Sequence, residues 1–190
     1  MAKPRDTPTI YTIGHSTRTI AEFAALLRQV AVDLVVDIRS IPRSRTNPQF
    51  NTDTMPAALA EFGIFYRHLA ALGGLRHHKK GAAPSTNMLW RVAAFRNYAD
   101  YAATAPFRAG LDALEALAGE HRCAIMCAEA VWWRCHRRIV ADYLLTDGVA
   151  VAHIMGPNKV DPATLTPGAR PAADGTVAYP PAESAPSSDT

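Results

Sequence analysis

The stretch from Ala124 to Arg138, AIMCAEAVWWRCHRR, gathers Cys127, Glu129, Arg134, Cys135, His136, Arg137 and Arg138 directly behind an apolar run. Three chemistries fit these residue types. A thiolate at Cys127, with Glu129 or His136 carrying its proton, would be an activated nucleophile, and a strand end or an arginine-rich helix start favours the thiolate. Cys127, Cys135 and His136 with a fourth ligand such as His15 or His153 could hold a tetrahedral zinc ion, although C-x7-C-H is not a usual zinc spacing. The arginines could bind an anion. Arg134, Arg137 and Arg138 sit in or beside the first turn of a predicted helix, where the macrodipole already supplies positive charge and cations cost about 0.3 to 1 kcal/mol each without an anion.

Each chemistry has a plainer competitor. A buried free cysteine is often only a small hydrophobe. A histidine at position 136 shares a helix face with Ile139, Val140 and Tyr143 and can simply bond a backbone carbonyl of the core. Glu129, Asp37 or a helix C-terminal carbonyl can neutralise the arginines. Cysteine phosphatase chemistry is disfavoured because it needs C-x5-R, whereas Cys127 and Arg134 are spaced C-x6-R. A redox pair is disfavoured because C-x-x-C is absent. Trp132 and Trp133 can stack on a base or pack internally.

Such groups need elements to carry them. Thr9 to Ile13 reads as a strand that stops at Gly14, leaving His15 and Ser16 in the following loop. From Thr19 the apolar positions Ile20, Phe23, Ala24, Leu27 and Val30 follow the helical period, with Glu22 placed for a capping box. Leu34 to Ile38 is a second strand, delivering Arg39, Ser40, Arg43 and Ser44 to a loop that Pro42 keeps irregular. A short helix over Asp53 to Glu61 precedes a third strand, Ile64 to Leu69, and a glycine-rich basic loop containing HHKK, His77 to Lys80. That loop reads as solvated, though it could track a phosphate backbone. Helices are predicted over Met88 to Ala103 and Phe107 to Leu117, with Pro106 in the first turn of the second. Cys123 to Cys127 is a fourth strand, Cys135 to Leu145 a helix, and Val149 to Ile154 a fifth strand.

Strands alternating with helices predict a single α/β domain of Rossmann-like type, a mostly parallel sheet of about five strands with helices on both faces. In such sheets ligands bind beyond the carboxyl ends of the strands, and every polar cluster named above follows a strand. We expect a flexible N-terminus over residues 1–8, the α/β domain over 9–155, a C-terminal appendage packed on it over 156–181, and a disordered tail over 182–190. Asp174-Gly175 in the appendage carries a hairpin-turn signal.

The bulk numbers set wider bounds. The net charge is +3, but residues 156–190 hold two bases against four acids, so the rest of the chain carries +5. That surface permits an anionic partner without demanding one. Three cysteines, with no basic-then-apolar leader at the start, predict free thiols and a cytoplasmic location. No apolar stretch approaches the roughly 20 residues of a membrane span. No repeat is evident, and the oligomeric state is left open.

The segments YTIGHSTRTIAEF, VVDIRSIPRSRTNPQFN, YRHLAALGG, FRNYADY, MCAEAVWWRCHRRIVADYLL and LTPGARPAADGTVAYP resemble the domain-of-unknown-function 488 family of mostly prokaryotic proteins. The resemblance spans about residues 9 to 181, and C-A-E with C-H-R is its clearest part. It implies recurring polar positions at His15, Ser16, Asp37, Arg39, Arg43, Tyr66, His68, Arg96, Tyr98, Cys127, Glu129, Cys135, His136 and Arg137. The segment DPATLTPGARPAADG departs from the histidine-bearing form of relatives.

The expectation is an enzyme acting on a phosphate-bearing ligand, a nucleotide or a nucleic acid. Arg39, Arg43 and Arg137 would hold the anion, Glu129 would move a proton, and Cys127 would act as nucleophile or shape the pocket. A noncatalytic nucleic-acid-binding module using Trp132 and Tyr98 as stacking surfaces is the first alternative. A zinc-stabilised interaction domain is the second.

Overall fold

The computed structural model describes residues 8–77, 81 and 83–182. The predicted N-terminal arm and tail, and His78 to Lys80 of the basic loop, lie almost entirely outside the described residues. The chain forms a three-layer α/β domain. Strands β1 (Ile10–Gly14), β2 (Leu34–Asp37), β3 (Phe65–His68), β4 (Cys123–Cys127), β5 (Val151–Gly156) and β6 (Lys159–Pro162) make one sheet in the order β3-β2-β4-β1-β5-β6. The first five run parallel and β6 is antiparallel to β5.

The sheet has the mostly parallel form expected, with a sixth, antiparallel strand beside the five read from the sequence. Gly156 pairs with Lys159, so Pro157 and Asn158 form a tight turn, with Asn158 at φ 55°. A four-residue KVDP strand with one aliphatic residue is too short to show alternation, and the turn that creates it depends on β5 running past His153.

Side-chain alternation sends successive strand residues to opposite faces. Ile13, Val35, Ala124 and Met126 pack under helices α1 (Ile20–Arg28) and α2 (Met55–Ala60), through Phe23, Leu27, Met55 and Leu59. Ile10, Val36 and Ile125 pack on the other face under α3 (Ala93–Ala102), α4 (Ala105–Glu120) and α5 (Arg137–Thr146), through Tyr98, Phe107, Leu111, Ile139 and Tyr143. Helix α1 starts where predicted: Thr19 Oγ1 accepts from Glu22 N and Glu22 Oε2 accepts from Thr19 N, a capping box that contributes on the order of 1 kcal/mol.

Helix α3 starts later than the predicted Met88. Leu89 N donates to Tyr179 O, and the Asn87 side chain bridges Asp100 and Tyr179 N, so this segment is tied to the appendage instead of coiling. The appendage itself is ordered, with a small hairpin of β7 (Arg170–Pro171) and β8 (Val177–Ala178) across Gly175 at φ 80°. Tyr179 is fully buried, its hydroxyl donating to Asp142 Oδ2 at 2.9 Å.

The connections create a crevice. The chain leaves β1 through α1 on one face and leaves β4 through α5 on the other, and β1 and β4 are neighbours. Their loops therefore diverge over the carboxyl ends, the switch point where open α/β sheets bind ligands. The pairing continues one step beyond the strands, His15 N donating to Cys127 O and Ser16 N to Ala128 O. Gly14 allows this approach: a Cβ there would lie 2.0 Å from Glu129 O.

Candidate functional site

The β2 end is locked by a buried ion pair. Asp37 is wholly buried and Arg39 is 6 % exposed. Arg39 Nε donates to Asp37 Oδ1 at 2.9 Å, Nη2 donates to Asp37 Oδ2 and to Phe50 O, and Nη1 meets His15 Nε2 at 3.3 Å. Tyr66 adds a hydroxyl donor to Asp37 Oδ2 at 2.7 Å, and His68 Nε2 donates to Arg39 O at 2.8 Å. Burial and the neighbouring carboxylate push the Tyr66 phenol up to about 12, even though a bond from Thr52 works the other way. One N–H of Arg39 Nη1 remains uncommitted by this inventory of five donors. Asp37 neutralises Arg39, and Arg39, Asp37, Tyr66 and His68 form a clamp that fixes the loop.

His15 is 1 % exposed and stacks on Phe50 at 4.2 Å. Its Nδ1 faces Ser16 O at 2.7 Å and so carries the proton, leaving Nε2 to accept from Arg39. Burial lowers its pKa to about 4, with the charges of Arg39 and Arg137 adding to the effect against the Ser16 carbonyl and Asp37. Both ring nitrogens are committed. His153 has Nδ1 on Thr12 Oγ1 at 2.8 Å, its ring stacked on Trp132 at 4.3 Å, and its pKa lowered to about 4 by burial and then by Arg137. Neither histidine is placed to be the fourth ligand of a metal with Cys127, which corrects that expectation.

Beneath the crevice lies a second cluster. Cys127 ends β4, and a single-turn 3-10 helix over Trp132–Arg134 folds the chain back so that Cys135 and His136 return to it before α5 begins. His136 Nε2 donates to Ile38 O at 3.0 Å, so its Nδ1 is turned to both sulfurs, 3.9 Å from Cys127 Sγ and 3.6 Å from Cys135 Sγ. Arg137 is 1 % exposed, with Nε donating to Cys135 Sγ at 3.4 Å and Nη2 donating to Glu129 O. Among the described residues it forms no ion pair with a carboxylate.

These contacts divide the two thiols. Cys135 is held well below the usual thiol range by the hydrogen bond from Cys127 and, against burial, by the Arg137 charge. Cys127 is pushed well above it, because it donates that hydrogen bond and is itself desolvated. Of the two sulfurs, Cys135, 4 % exposed, is the one whose surroundings favour the thiolate. The anion that the arginines seemed to require is internal in part. Arg137 lies against the Cys135 sulfur and a backbone carbonyl. Arg138 Nε donates to Thr166 Oγ1 at 2.9 Å with its guanidinium over the rings of Trp90 and Trp132, while Arg134 is exposed.

A cavity of about 420 Å³ opens over this cluster, with His15, Arg39, Arg43, Cys127 and His136 on its walls. Arg43 is 72 % exposed at its mouth, 4.0 Å from Asp53 Oδ2. A neighbouring hollow of about 210 Å³ shares Cys127 and His136 and adds Glu129, Arg134 and Tyr98. Glu129 is exposed there and Ser16 is half-buried at the β1 side. Tyr98 is buried, its hydroxyl donating to Leu72 O at 2.7 Å and its ring edge-on to His136 at 5.0 Å, so it is a supporting wall and not a stacking surface. Trp132 has one face on His153, and Trp133, 46 % exposed, packs edge-on against Trp132. Arg96 binds the carbonyls of Trp90 and Arg91 and stands on neither cavity wall. A larger hollow of about 550 Å³ lies elsewhere, near Arg76, Ser85 and Asp100. Asp100 already accepts from Ser85 and Asn87, and Arg76 donates to the carbonyls of Ala70 and Ala71 and lies over the Tyr101 ring.

Several wall residues escaped the sequence reading. Ser40 and Ser44 were placed only in a loop, and Gly73 and Gly74 only in a flexible one. Yet a Cβ on Gly73 would meet Ser40 Oγ at 2.6 Å, and one on Gly74 would meet His136 Nδ1 at 2.3 Å. The Gly-Gly pair after the third strand was the signal available, since adjacent glycines often mark a close backbone approach. Phe50, the platform for His15, gave no signal beyond being apolar.

A model of the domain of unknown function DUF488 matches residues 19–144, well over half of the chain. The protein belongs to the DUF488 family. The matched span carries the DUF488 chain from the cap of α1 through Cys127, Cys135 and His136 to near the end of α5. No curated protein and no solved structure matches it. Among the described residues, no helix is long and apolar enough to cross a membrane.

Proposed function

We propose that this DUF488 protein is an enzyme, that the crevice over β1, β2 and β4 is its active site, and that its ligand carries a phosphate, as a nucleotide or a nucleic acid does. One observation supports the reading above the others: two sulfurs and an imidazole nitrogen lie within 4.8 Å of one another where two hollows meet, Cys127 and His136 on the walls of both the space of about 420 Å³ and that of about 210 Å³ and Cys135 on the smaller, with Arg43 at the mouth of the larger. Such a group could hold a metal ion, and zinc is the ion that two thiolates and an imidazole suit best. A bound zinc would supply a Lewis acid where the hollows meet.

The protein's own groups then divide as follows. Arg43 and the Ser40 and Ser44 hydroxyls offer donors for phosphate oxygens at the mouth. Glu129, exposed beside the same thiol, is placed to move a proton. Arg39, on the wall, holds the β2 loop, and Arg137, behind it, stabilises the Cys135 sulfur. The noncatalytic stacking module is disfavoured by burial of Tyr98 and by the His153 ring against Trp132.

The test couples elemental analysis of the purified chain to a thermal-shift screen of inorganic phosphate, nucleotides and oligonucleotides. A ligand at a hundred times its dissociation constant adds about 2.7 kcal/mol to stability. The expected result is stabilisation by a phosphate compound that Arg43→Ala weakens at least fivefold in affinity. If no phosphate compound raises the melting temperature, the proposed ligand class is wrong.

A further inference from the structure

We infer that the metal centre is coordinatively open: an ion on Cys127, Cys135 and His136 keeps its fourth position for a water or for an oxygen of the ligand. This inference rests on the proposed metal reading, and it specifies how that metal would meet a substrate. Structural zinc sites are closed by four protein ligands, whereas catalytic ones use three and leave one place to solvent or substrate.

The donor count comes first. Among the described residues, the group of ligand atoms close enough to share an ion contains Cys127, Cys135 and His136 and no fourth member. The nearest plausible fourth ligands are committed elsewhere, His15 to Ser16 O and Arg39, and His153 to Thr12. The shape of the trio agrees with tetrahedral coordination. With Zn–S near 2.3 Å and Zn–N near 2.0 to 2.1 Å, a tetrahedral S···N edge is about 3.6 Å. The two edges are 3.9 and 3.6 Å.

Orientation and surroundings follow the same logic. His136 donates its Nε2 proton to Ile38 O, the outer contact that typically fixes the tautomer of a metal-bound histidine and turns the other lone pair to the ion. Arg137 Nε donates to Cys135 Sγ and would do so equally for a metal thiolate. Gly74 stands where a side chain would press on Nδ1, since a Cβ there would be 2.3 Å away, and the same glycine lines both cavities beside Cys127 and His136. The space next to the donor nitrogen is thus kept clear and faces the hollow. Glu129 is the one carboxylate on these walls, and Arg137 Nη2 on its carbonyl oxygen fixes its backbone.

Cobalt substitution reads this directly, because ligand-field bands of Co²⁺ report both coordination number and ligand exchange. The full chain, reduced and metal-free, is titrated with Co²⁺ and then with cyanide and, separately, inorganic phosphate. One equivalent should bind with thiolate-to-cobalt charge-transfer bands, and both anions should shift the visible bands saturably. Bands that neither anion moves would mean a closed site and overturn the inference while leaving metal binding intact. A shift with cyanide alone would uphold the open position and count against the phosphate ligand. Absence of stoichiometric cobalt binding would overturn the metal reading together with this inference. Glu129→Gln, a substitution at an exposed residue, should leave the starting spectrum unchanged, and a changed spectrum would identify Glu129 as the fourth ligand and refute the open site.

Discussion

Replacing Asp37 by Asn tests whether the clamp behind the cavity is held as described. Asp37 is wholly buried and accepts from Arg39 N, Arg39 Nε, Arg39 Nη2 and the Tyr66 hydroxyl. Asn preserves the shape but removes the charge and turns an amide donor toward groups that are all donors. Arg39, 6 % exposed, would then be a buried cation whose remaining partners are a carbonyl and a neutral imidazole. Removing one member of a buried pair costs about 3 to 5 kcal/mol, because the other charge stays desolvated and unpaired. For a chain of this length about 1 kcal/mol moves the melting temperature by roughly 2 to 4 °C, so a drop of roughly 10 °C is expected. Urea unfolding should show the midpoint falling with the slope unchanged. The Asp37→Asn/Arg39→Met double variant should be less destabilised than the sum of the two single variants by about 2 kcal/mol or more, since no unpaired charge remains. A single variant within about 1 kcal/mol of the parent, or strict additivity in the cycle, would refute the clamp.

Stability should fall with acid in a defined window. His15 and His153 have pKa values lowered to about 4 in the folded chain against 6.5 unfolded, so the unfolded state binds more protons between those values. Their neutral forms cost nothing above pH 6.5, and each histidine removes up to about 3 kcal/mol as pH falls toward 4; urea midpoints that stay flat from pH 7 to 4.5 would contradict this. Tyr179→Phe should cost about 1 to 3 kcal/mol by taking a donor from buried Asp142, and it should speed proteolysis within residues 157–182. An unchanged melting temperature and cleavage pattern would show that the appendage is not anchored there.

Much of the architecture was legible in the residue order because its signals are local. Five apolar runs became five parallel strands, Thr19 and Glu22 capped α1, Pro106 fell in the first turn of α4, and Asp174-Gly175 turned the small hairpin. Placing His15, Arg39, Cys127 and His136 near one rim also followed from the sequence, since loops after parallel strands converge at the carboxyl edge. The short β6 escaped because four residues cannot display a period, and α3 began late because Asn87 and Leu89 are captured by Tyr179, far away in the chain.

The state of each functional side chain was another matter. Whether an arginine is free for a ligand depends on who occupies its five donors, and the answer for Arg39 involves Phe50 and His15 as well as Asp37. Which sulfur its surroundings favour as thiolate depends on Arg137, and the tautomer of His136 is set by Ile38, 98 positions away. Residue order determined which chemical groups arrive at the crevice, because period and turn signals act over a few neighbours. Tertiary structure decided which of them are spent on each other and which face the hollow, because hydrogen bonds and burial are settled only when distant segments pack.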